Sequence, residues 1–221
     1  MLILSLATEK EFDMEKEYKN IIFDLGNVLV KLDTDGCMKA FGALGLGQFL
    51  DSKTHPESHE LMHSLCLGLI STEEFCENTR KLSGLPLSDE QIKDAANKML
   101  VDIPDRKKEI LLQLRSRGKK VYLLSNTLDI HWDYCVSKLF PYKSYGIDDY
   151  FDMVFLSQRL HMEKPSPEIY REVVSRTGVK AEETLFIDDL EENCMSAQRS
   201  VGWDVFQNKG FDDWLNISQT R

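Results

Sequence analysis

The sequence predicts an α/β fold, a doubly wound parallel sheet with a small inserted helical cap. Short apolar runs that end in polar residues are typical of buried strands, and they span residues 21–23, 121–124, 153–156 and 185–187. Segments with apolar residues at helical spacing follow at 105–117, 165–178 and 190–202. Strands that alternate with helices predict right-handed crossovers and a parallel sheet, whose ligand crevice lies at the carboxyl ends of the strands.

The interval 35–102 breaks this alternation, because it offers helical segments and no convincing strand. Ser71 with Glu74, and Ser88 with Gln91, have the capping-box spacing that begins a helix. We therefore predict an α/β core, a helical cap inserted after the first strand, and an N-terminal extension. Their bounds are 19–34 plus 103–217 for the core, 35–102 for the cap and 1–18 for the extension.

The composition limits the classes of partner. The 221 residues are 42% hydrophobic and 29% charged, which fits one folded domain with an insert. A formal charge of −10 disfavours nucleic acid and anionic membranes as partners. The five cysteines are scattered without a C-x-x-C pair, which predicts reduced thiols and a cytoplasmic location. The opening apolar run is too short for a membrane helix. Met1 and Met14 are both candidates for the start of translation.

Polar side chains suited to phosphoryl transfer occur in the order Asp24, Ser125, Asn126, Lys164, Asp188 and Asp189. A carboxylate can attack a phosphate only if charge repulsion is relieved, since two like charges about 4 Å apart cost roughly 4 kcal/mol at an effective dielectric near 20. A metal ion and a lysine supply that relief. Aspartates from two strand ends suit Mg²⁺, and a serine hydroxyl with amide donors can hold phosphoryl oxygens. The set predicts an enzyme that acts on a small phosphorylated metabolite.

Sequence motifs over about residues 19–210 resemble, in order, the four motifs of the haloacid dehalogenase superfamily: IIFDLGNVLV, LLSNT, EKPSP and LFIDDLEEN. The resemblance implies a Rossmann-type core, a cap that screens substrates and a Mg²⁺-dependent, phosphatase-like hydrolase. The DLGN of the first motif is similar to that of bacterial α-D-glucose-1-phosphatases. By the same resemblance, Asp24 is the nucleophile that becomes an aspartyl phosphate. Ser125, Asn126 and Lys164 then bind the phosphoryl group, and Lys164 also balances charge in catalysis.

The resemblance places Mg²⁺ on the Asp24 carboxylate, the main-chain carbonyl of Gly26 and Asp189, with Asp188 orienting its neighbours. Position 26 is also the clearest departure from the family. Many relatives carry an aspartate there that protonates the leaving group and activates water. Glycine keeps the carbonyl but lacks the acid. General acid–base assistance is worth roughly 10² to 10⁴ in rate, so its loss costs about 3 to 5 kcal/mol unless something replaces it.

Three explanations of Gly26 stay open. We favour a substrate whose leaving group needs little protonation, such as an anomeric sugar phosphate or an acyl phosphate. Alternatively, His131 or His63 supplies the acid, since the pKa of histidine lies near about 6.5. The third explanation is a protein that binds a phosphorylated ligand or a protein partner without turnover. A mutase is disfavoured because it needs the missing base, and metal-independent dehalogenation would leave the Asp188–Asp189 pair without its metal-binding role.

Two further patterns compete with this interpretation. Residues 59–63 read H-E-x-x-H, which on a helix can bind zinc through His59 and His63. The polar residues before the motif favour an exposed cap helix instead. Gly42, Gly45 and Gly47 follow a helical stretch rather than a strand, so they indicate a helix end and not a nucleotide-binding loop.

Overall fold

The computed structural model describes residues 16–47 and 56–219. Most of the predicted N-terminal extension, including Met1 and Met14, lies outside these residues. In chain order the strands are β1 (Asn20–Phe23), β2 (Lys31–Leu32), β3 (Leu100–Asp102), β4 (Lys120–Ser125), β5 (Met153–Leu156), β6 (Thr184–Asp188) and β7 (Asp204–Gln207). Five of them form one parallel sheet in the order β5-β4-β1-β6-β7. The predicted fold class is confirmed.

Helices connect the strands on both faces of this sheet. In chain order they are α1 (Thr34–Ala43), α2 (Pro56–Cys66), α3 (Thr72–Ser83), α4 (Asp89–Asn97), α5 (Asp105–Ser116), α6 (Asp129–Tyr134), α7 (Ile147–Tyr150), α8 (Ser157–Leu160), α9 (Pro167–Thr177) and α10 (Glu191–Val201). A π-helical turn spans Cys135–Leu139, and 3-10 turns span Ala181–Glu183 and Asp213–Gln219.

The alternation of side chains along each strand divides the core into two layers. Residues of one parity, such as Phe23 and Ile187, pack with α5 and Trp214 on one face. Residues of the other parity, such as Ile22 and Phe186, pack with α9 and α10 on the opposite face. With both faces covered, the strands read as continuous apolar runs, and their carboxyl ends are left as the open edge.

Helices α1 to α4 lie between β2 and β3 and form a second apolar cluster, to which Leu128 and Ile130 also contribute. The capping boxes at Ser71 and Ser88 are confirmed, since each hydroxyl accepts from the N3 amide and each N3 side chain accepts in return. The expectation that 35–102 holds no strand is wrong, because Leu100–Asp102 pairs antiparallel with Lys31–Leu32. Segments of two and three residues are too short to show a strand periodicity. The domain bounds stay a prediction.

Three smaller features concern the glycines near the end of α1, the cysteines and the lengths of the helices. Helix α1 ends at Ala43, and Gly45 follows with φ +83°, so the glycines mark a helix end as expected. All five cysteines are free thiols. Within residues 16–47 and 56–219, no helix is long and apolar enough to cross a membrane.

Candidate active site

Asp24 is the first residue after β1, the central strand of the sheet. Its main-chain N–H donates to the Ile187 carbonyl at 2.9 Å, which fixes the carboxyl end of β1 beside that of β6. The side chain is buried. An apolar strand on each side therefore holds this carboxylate at the middle of the open edge.

Lys164 is buried and lies between two carboxylates. Its Nζ donates to Asp24 Oδ1 at 2.6 Å, to Asp188 Oδ2 at 2.7 Å and to the Leu124 carbonyl at 2.9 Å. Three acceptors satisfy the three hydrogens of the ammonium group. Because β1, β4 and β6 each contribute one acceptor, the lysine ties together the three central strand ends.

The environment shifts the pKa of each partner in this cluster. Burial raises the pKa of Asp24 to about 7, assisted by the nearby Asp188 charge and opposed by Lys164. Burial lowers the pKa of Lys164, but Asp24 and Asp188 outweigh it and the net shift is upward. The lysine thus stays positively charged, and its charge and hydrogen bond oppose the rise in the Asp24 pKa that burial causes.

Asp24, Asp188 and Asp189 form a group that could hold a cation, with carboxylate oxygens within 4.8 Å of one another. Asp188 is fully engaged, because its Oδ1 accepts from the Leu190 N–H and from Asn193 Nδ2, each at 2.9 Å, while its Oδ2 accepts from Lys164. Asp189 is only partly buried. An all-oxygen donor set of this kind fits a hard cation such as Mg²⁺.

Asn27 holds Asp189 in place, since its Nδ2 donates to Asp189 Oδ2 at 3.1 Å. Its backbone is left-handed, with φ +50°, a conformation that asparagine tolerates better than other non-glycine residues. Asn27 was not among the predicted site residues. A single polar residue in a loop gives no spacing signal, and only the fold brings it to Asp189.

Ser125 and Asn126 lie at the end of β4, beside the cluster. Ser125 is buried, and no hydrogen bond of its hydroxyl occurs within the described part of the chain. The Asn126 amide is bound by the Lys164 backbone, with Nδ2 donating to the carbonyl at 2.7 Å and Oδ1 accepting from the N–H at 2.9 Å. The Asn126 side chain is therefore bound to the Lys164 main chain on both sides of its amide group.

Gly26 lies close to Asp24 at the edge of the cluster. A Cβ added at this position would lie 3.9 Å from Asp24 Oδ2 and 3.0 Å from Leu32 Cδ1. A side chain here would therefore point toward the carboxylate, and Leu32 fills part of the space.

The two histidines considered as substitute acids differ in placement. His131 is half-buried, with Nε2 3.1 Å from the Ala96 carbonyl, and desolvation lowers its pKa. His63 Nε2 lies 2.9 Å from Glu163 Oε1, immediately before Lys164. Among the described residues, the aspartate cluster is the only group of three or more His, Cys, Asp or Glu side chains close enough to hold a metal ion, and it includes neither His59 nor His63.

The cap contacts the core next to Lys164. The Ser157 hydroxyl donates to the Cys66 carbonyl at 2.9 Å, and His161 Nδ1 lies 2.8 Å from the Leu67 carbonyl. Gly68 has φ +61°, and a Cβ there would lie 1.9 Å from the Gln158 carbonyl oxygen. Only glycine permits this approach of two backbones. Each of these residues joins the cap to the core through a backbone contact, which sequence spacing does not reveal.

Comparisons with known proteins agree with this geometry. A family model described as haloacid dehalogenase-like hydrolase matches residues 18–200. The chain belongs to this family. This match confirms the family and the enzyme class that the four motifs predicted. The narrower likeness to α-D-glucose-1-phosphatases stays a prediction.

Among curated relatives, the hydrolase is 33% identical over 199 residues to a D-ribitol-5-phosphate phosphatase from Bacteroides thetaiotaomicron, covering 89% of this chain and 94% of that one. A solved haloacid dehalogenase family enzyme from the same organism, in complex with magnesium and inorganic phosphate, is 40% identical with a TM-score of 0.84. That match covers 90% and 98% of the two chains. A predicted hydrolase of this type from Porphyromonas gingivalis is 31% identical, with a TM-score of 0.81 and coverage of 91% and 96%.

Proposed function

We propose that this hydrolase is a magnesium-dependent phosphatase that cleaves a small phosphomonoester through an aspartyl phosphate on Asp24. The observation that carries the proposal is the Lys164 ammonium between Asp24 and Asp188, with Asp189 beside them. One nucleophilic carboxylate, one fixed cation and one partly open metal-binding carboxylate are what phosphoryl transfer to an aspartate requires. Two of the relatives support it, one by its name as a phosphatase and one by its bound magnesium and phosphate.

In the proposed reaction, one oxygen of the Asp24 carboxylate attacks phosphorus while the bond from phosphorus to the leaving oxygen breaks. Lys164 favours the ionised form of Asp24 and offsets the charge that gathers on the phosphoryl group. Ser125 and the main-chain N–H of Asn126 bind the phosphoryl oxygens. Asp24, Asp189 and the Gly26 carbonyl would hold Mg²⁺, which would supply positive charge at the phosphate. Water then attacks phosphorus, which releases phosphate and restores the Asp24 carboxylate.

Gly26 narrows the proposed substrates, because it provides no proton for the departing oxygen. An anomeric sugar phosphate or an acyl phosphate has a leaving group that needs little protonation, whereas the alkoxide of a sugar alcohol needs more. His131 is a weak substitute, since its lowered pKa leaves little of it protonated at neutral pH. We therefore place anomeric and acyl phosphates ahead of a D-ribitol-5-phosphate-like ester.

The same glycine favours a second function, binding of a phosphorylated ligand or partner without turnover. A panel of anomeric sugar phosphates, sugar 6-phosphates, a pentitol phosphate, nucleotides and acyl phosphates separates the two when phosphate release is followed at fixed Mg²⁺. We expect release that requires Mg²⁺, is fastest with good leaving groups and is abolished by Asp24→Asn. Tight binding of one compound with no release from any would favour the second function.

A further inference from the structure

The segment of residues 207–214, which we call the C-terminal segment, contacts both loops that carry the candidate metal ligands. It begins at the last residue of β7, at the edge of the sheet, and lies beyond the part of the chain that the family model matches. None of the four motifs includes it. Its contacts are made by the buried side chains of Asn208 and Trp214, by the partly buried side chain of Gln207 and by backbone groups.

Asn208 is the centre of these contacts. Its side chain is almost wholly buried. Its Nδ2 donates to the Asn27 carbonyl at 2.9 Å, and its Oδ1 accepts from the Trp214 N–H at 3.0 Å. Its main-chain N–H donates to the Asp188 carbonyl at 2.8 Å. One residue therefore joins the loop after the nucleophile to the loop of the acidic pair.

Neighbouring residues hold the same two loops. Gln207 Nε2 donates to the Asp189 carbonyl at 3.2 Å. Trp214 Nε1 donates to the Val28 carbonyl at 2.8 Å, and the buried Lys107 Nζ donates to that carbonyl at 2.6 Å. Lys107 Nζ also donates to the Phe211 carbonyl at 2.5 Å, which fixes the C-terminal segment against the loop.

We propose that Asn208 is a positioning residue of the metal site, acting through Asn27 on Asp189 and through the backbone on Gly26. The inference rests on the proposed function, because it takes Asp24, Gly26 and Asp189 as the magnesium ligands. Asn27 links Asn208 to Asp189, since its main-chain carbonyl accepts from Asn208 and its side-chain amide donates to Asp189. Residues that orient a metal ligand typically change metal affinity by roughly 10- to 100-fold when they are removed.

The test compares Asn208→Ala with Asn20→Ala. Asn20 is also a buried asparagine, and its Nδ2 donates to the Glu183 carbonyl at 3.4 Å and to Thr184 Oγ1 at 3.2 Å at the opposite end of β1. Calorimetry measures the Kd for Mg²⁺, and amide hydrogen exchange measures the opening of residues 25–30 without metal. We expect Asn208→Ala to weaken Mg²⁺ binding roughly 10-fold or more and to speed exchange in this loop. Asn20→Ala should lower the Tm without either change.

Gln207→Ala is the second variant, because Gln207 is only partly buried and its loss leaves the core intact. It should weaken Mg²⁺ binding by a smaller factor, and its Kd for Mg²⁺ tests the inference if Asn208→Ala does not fold. A Kd unchanged within about two-fold in the variants that fold overturns the inference. Failure of wild-type protein to bind Mg²⁺ would instead overturn the proposed function, while faster exchange of residues 25–30 in Asn208→Ala would still record the positioning contact.

Discussion

Replacing Gly26 with aspartate returns a carboxyl group to the position two residues after the nucleophile. The new Cβ lies 3.9 Å from Asp24 Oδ2, so the carboxyl group can reach the leaving oxygen of a phosphate bound at Asp24. For substrates with poor leaving groups, a positioned general acid is worth roughly 10² to 10⁴ in rate. We expect Gly26→Asp to raise kcat in this range for alkyl phosphates and to change it little for anomeric phosphates.

The same substitution should lower stability. The Cβ would lie 3.0 Å from Leu32 Cδ1, and overpacking of this kind costs about 1 to 3 kcal/mol unless Leu32 shifts by a few tenths of an ångström. A second carboxylate about 4 to 5 Å from Asp24 adds repulsion of roughly 3 to 4 kcal/mol at an effective dielectric near 20, before Lys164 and a metal offset it. We therefore expect a lower Tm that Mg²⁺ partly restores.

The assay measures kcat for phosphate esters whose leaving groups span a wide range of pKa. Gly26→Asn is the matched control, because it adds a side chain of the same size that cannot donate an acidic proton. The logarithm of kcat should fall steeply with leaving-group pKa in wild-type protein and in Gly26→Asn, and weakly in Gly26→Asp. Equal slopes for all three proteins would refute the explanation of Gly26 by leaving-group chemistry.

Other predictions concern the cap contact and two buried side chains. Gly68→Ala should lower the free energy of unfolding by about 2 to 4 kcal/mol and raise KM. Gly68 has φ +61°, and a Cβ there would lie 1.9 Å from the Gln158 carbonyl oxygen. Chemical denaturation checks the first change and a KM measurement checks the second. Burial lowers the pKa of Lys107 to about 8 from 10.5, so between these values the unfolded chain binds more protons and wild-type stability rises with pH. The Tm of wild type relative to Lys107→Met should therefore increase across that window, and a constant difference would contradict the assignment. His131→Gln should leave the dependence of kcat on leaving-group pKa unchanged, because His131 is bonded to the Ala96 carbonyl and is mostly unprotonated at neutral pH.

The sheet was readable from sequence wherever a strand carries an uninterrupted apolar run. The strands Asn20–Phe23, Lys120–Ser125, Met153–Leu156 and Thr184–Asp188 all fall on predicted apolar runs. The edge strand Asp204–Gln207 was missed, because it is only partly buried beyond its first residue and its run is broken by polar residues. Helices Asp105–Ser116, Pro167–Thr177 and Glu191–Val201 each end within two residues of their predicted bounds, as glycines and capping residues allow.

The motif residues of the site were predictable because strand ends converge in a parallel sheet. Asp24, Lys164 and Asp188 meet within hydrogen-bonding distance although they are far apart in the chain. Asn27 and Asn208 were not predictable, since their roles depend on single hydrogen bonds between loops. The Asn126 side chain shows the limit within a motif, because its amide is bound to the Lys164 backbone and not left free for phosphate.

Detection of a phosphoryl group on Asp24 tests the central claim most directly. Wild-type protein is mixed with Mg²⁺ and the fastest substrate of the panel, quenched in acid during the first turnover, and digested for peptide mass spectrometry. We predict a phosphorylated peptide whose modification maps to Asp24 and which is absent without Mg²⁺ and in Asp24→Asn. Phosphate release by Asp24→Asn at the wild-type rate, with no phosphorylated peptide from wild-type protein, would contradict the account.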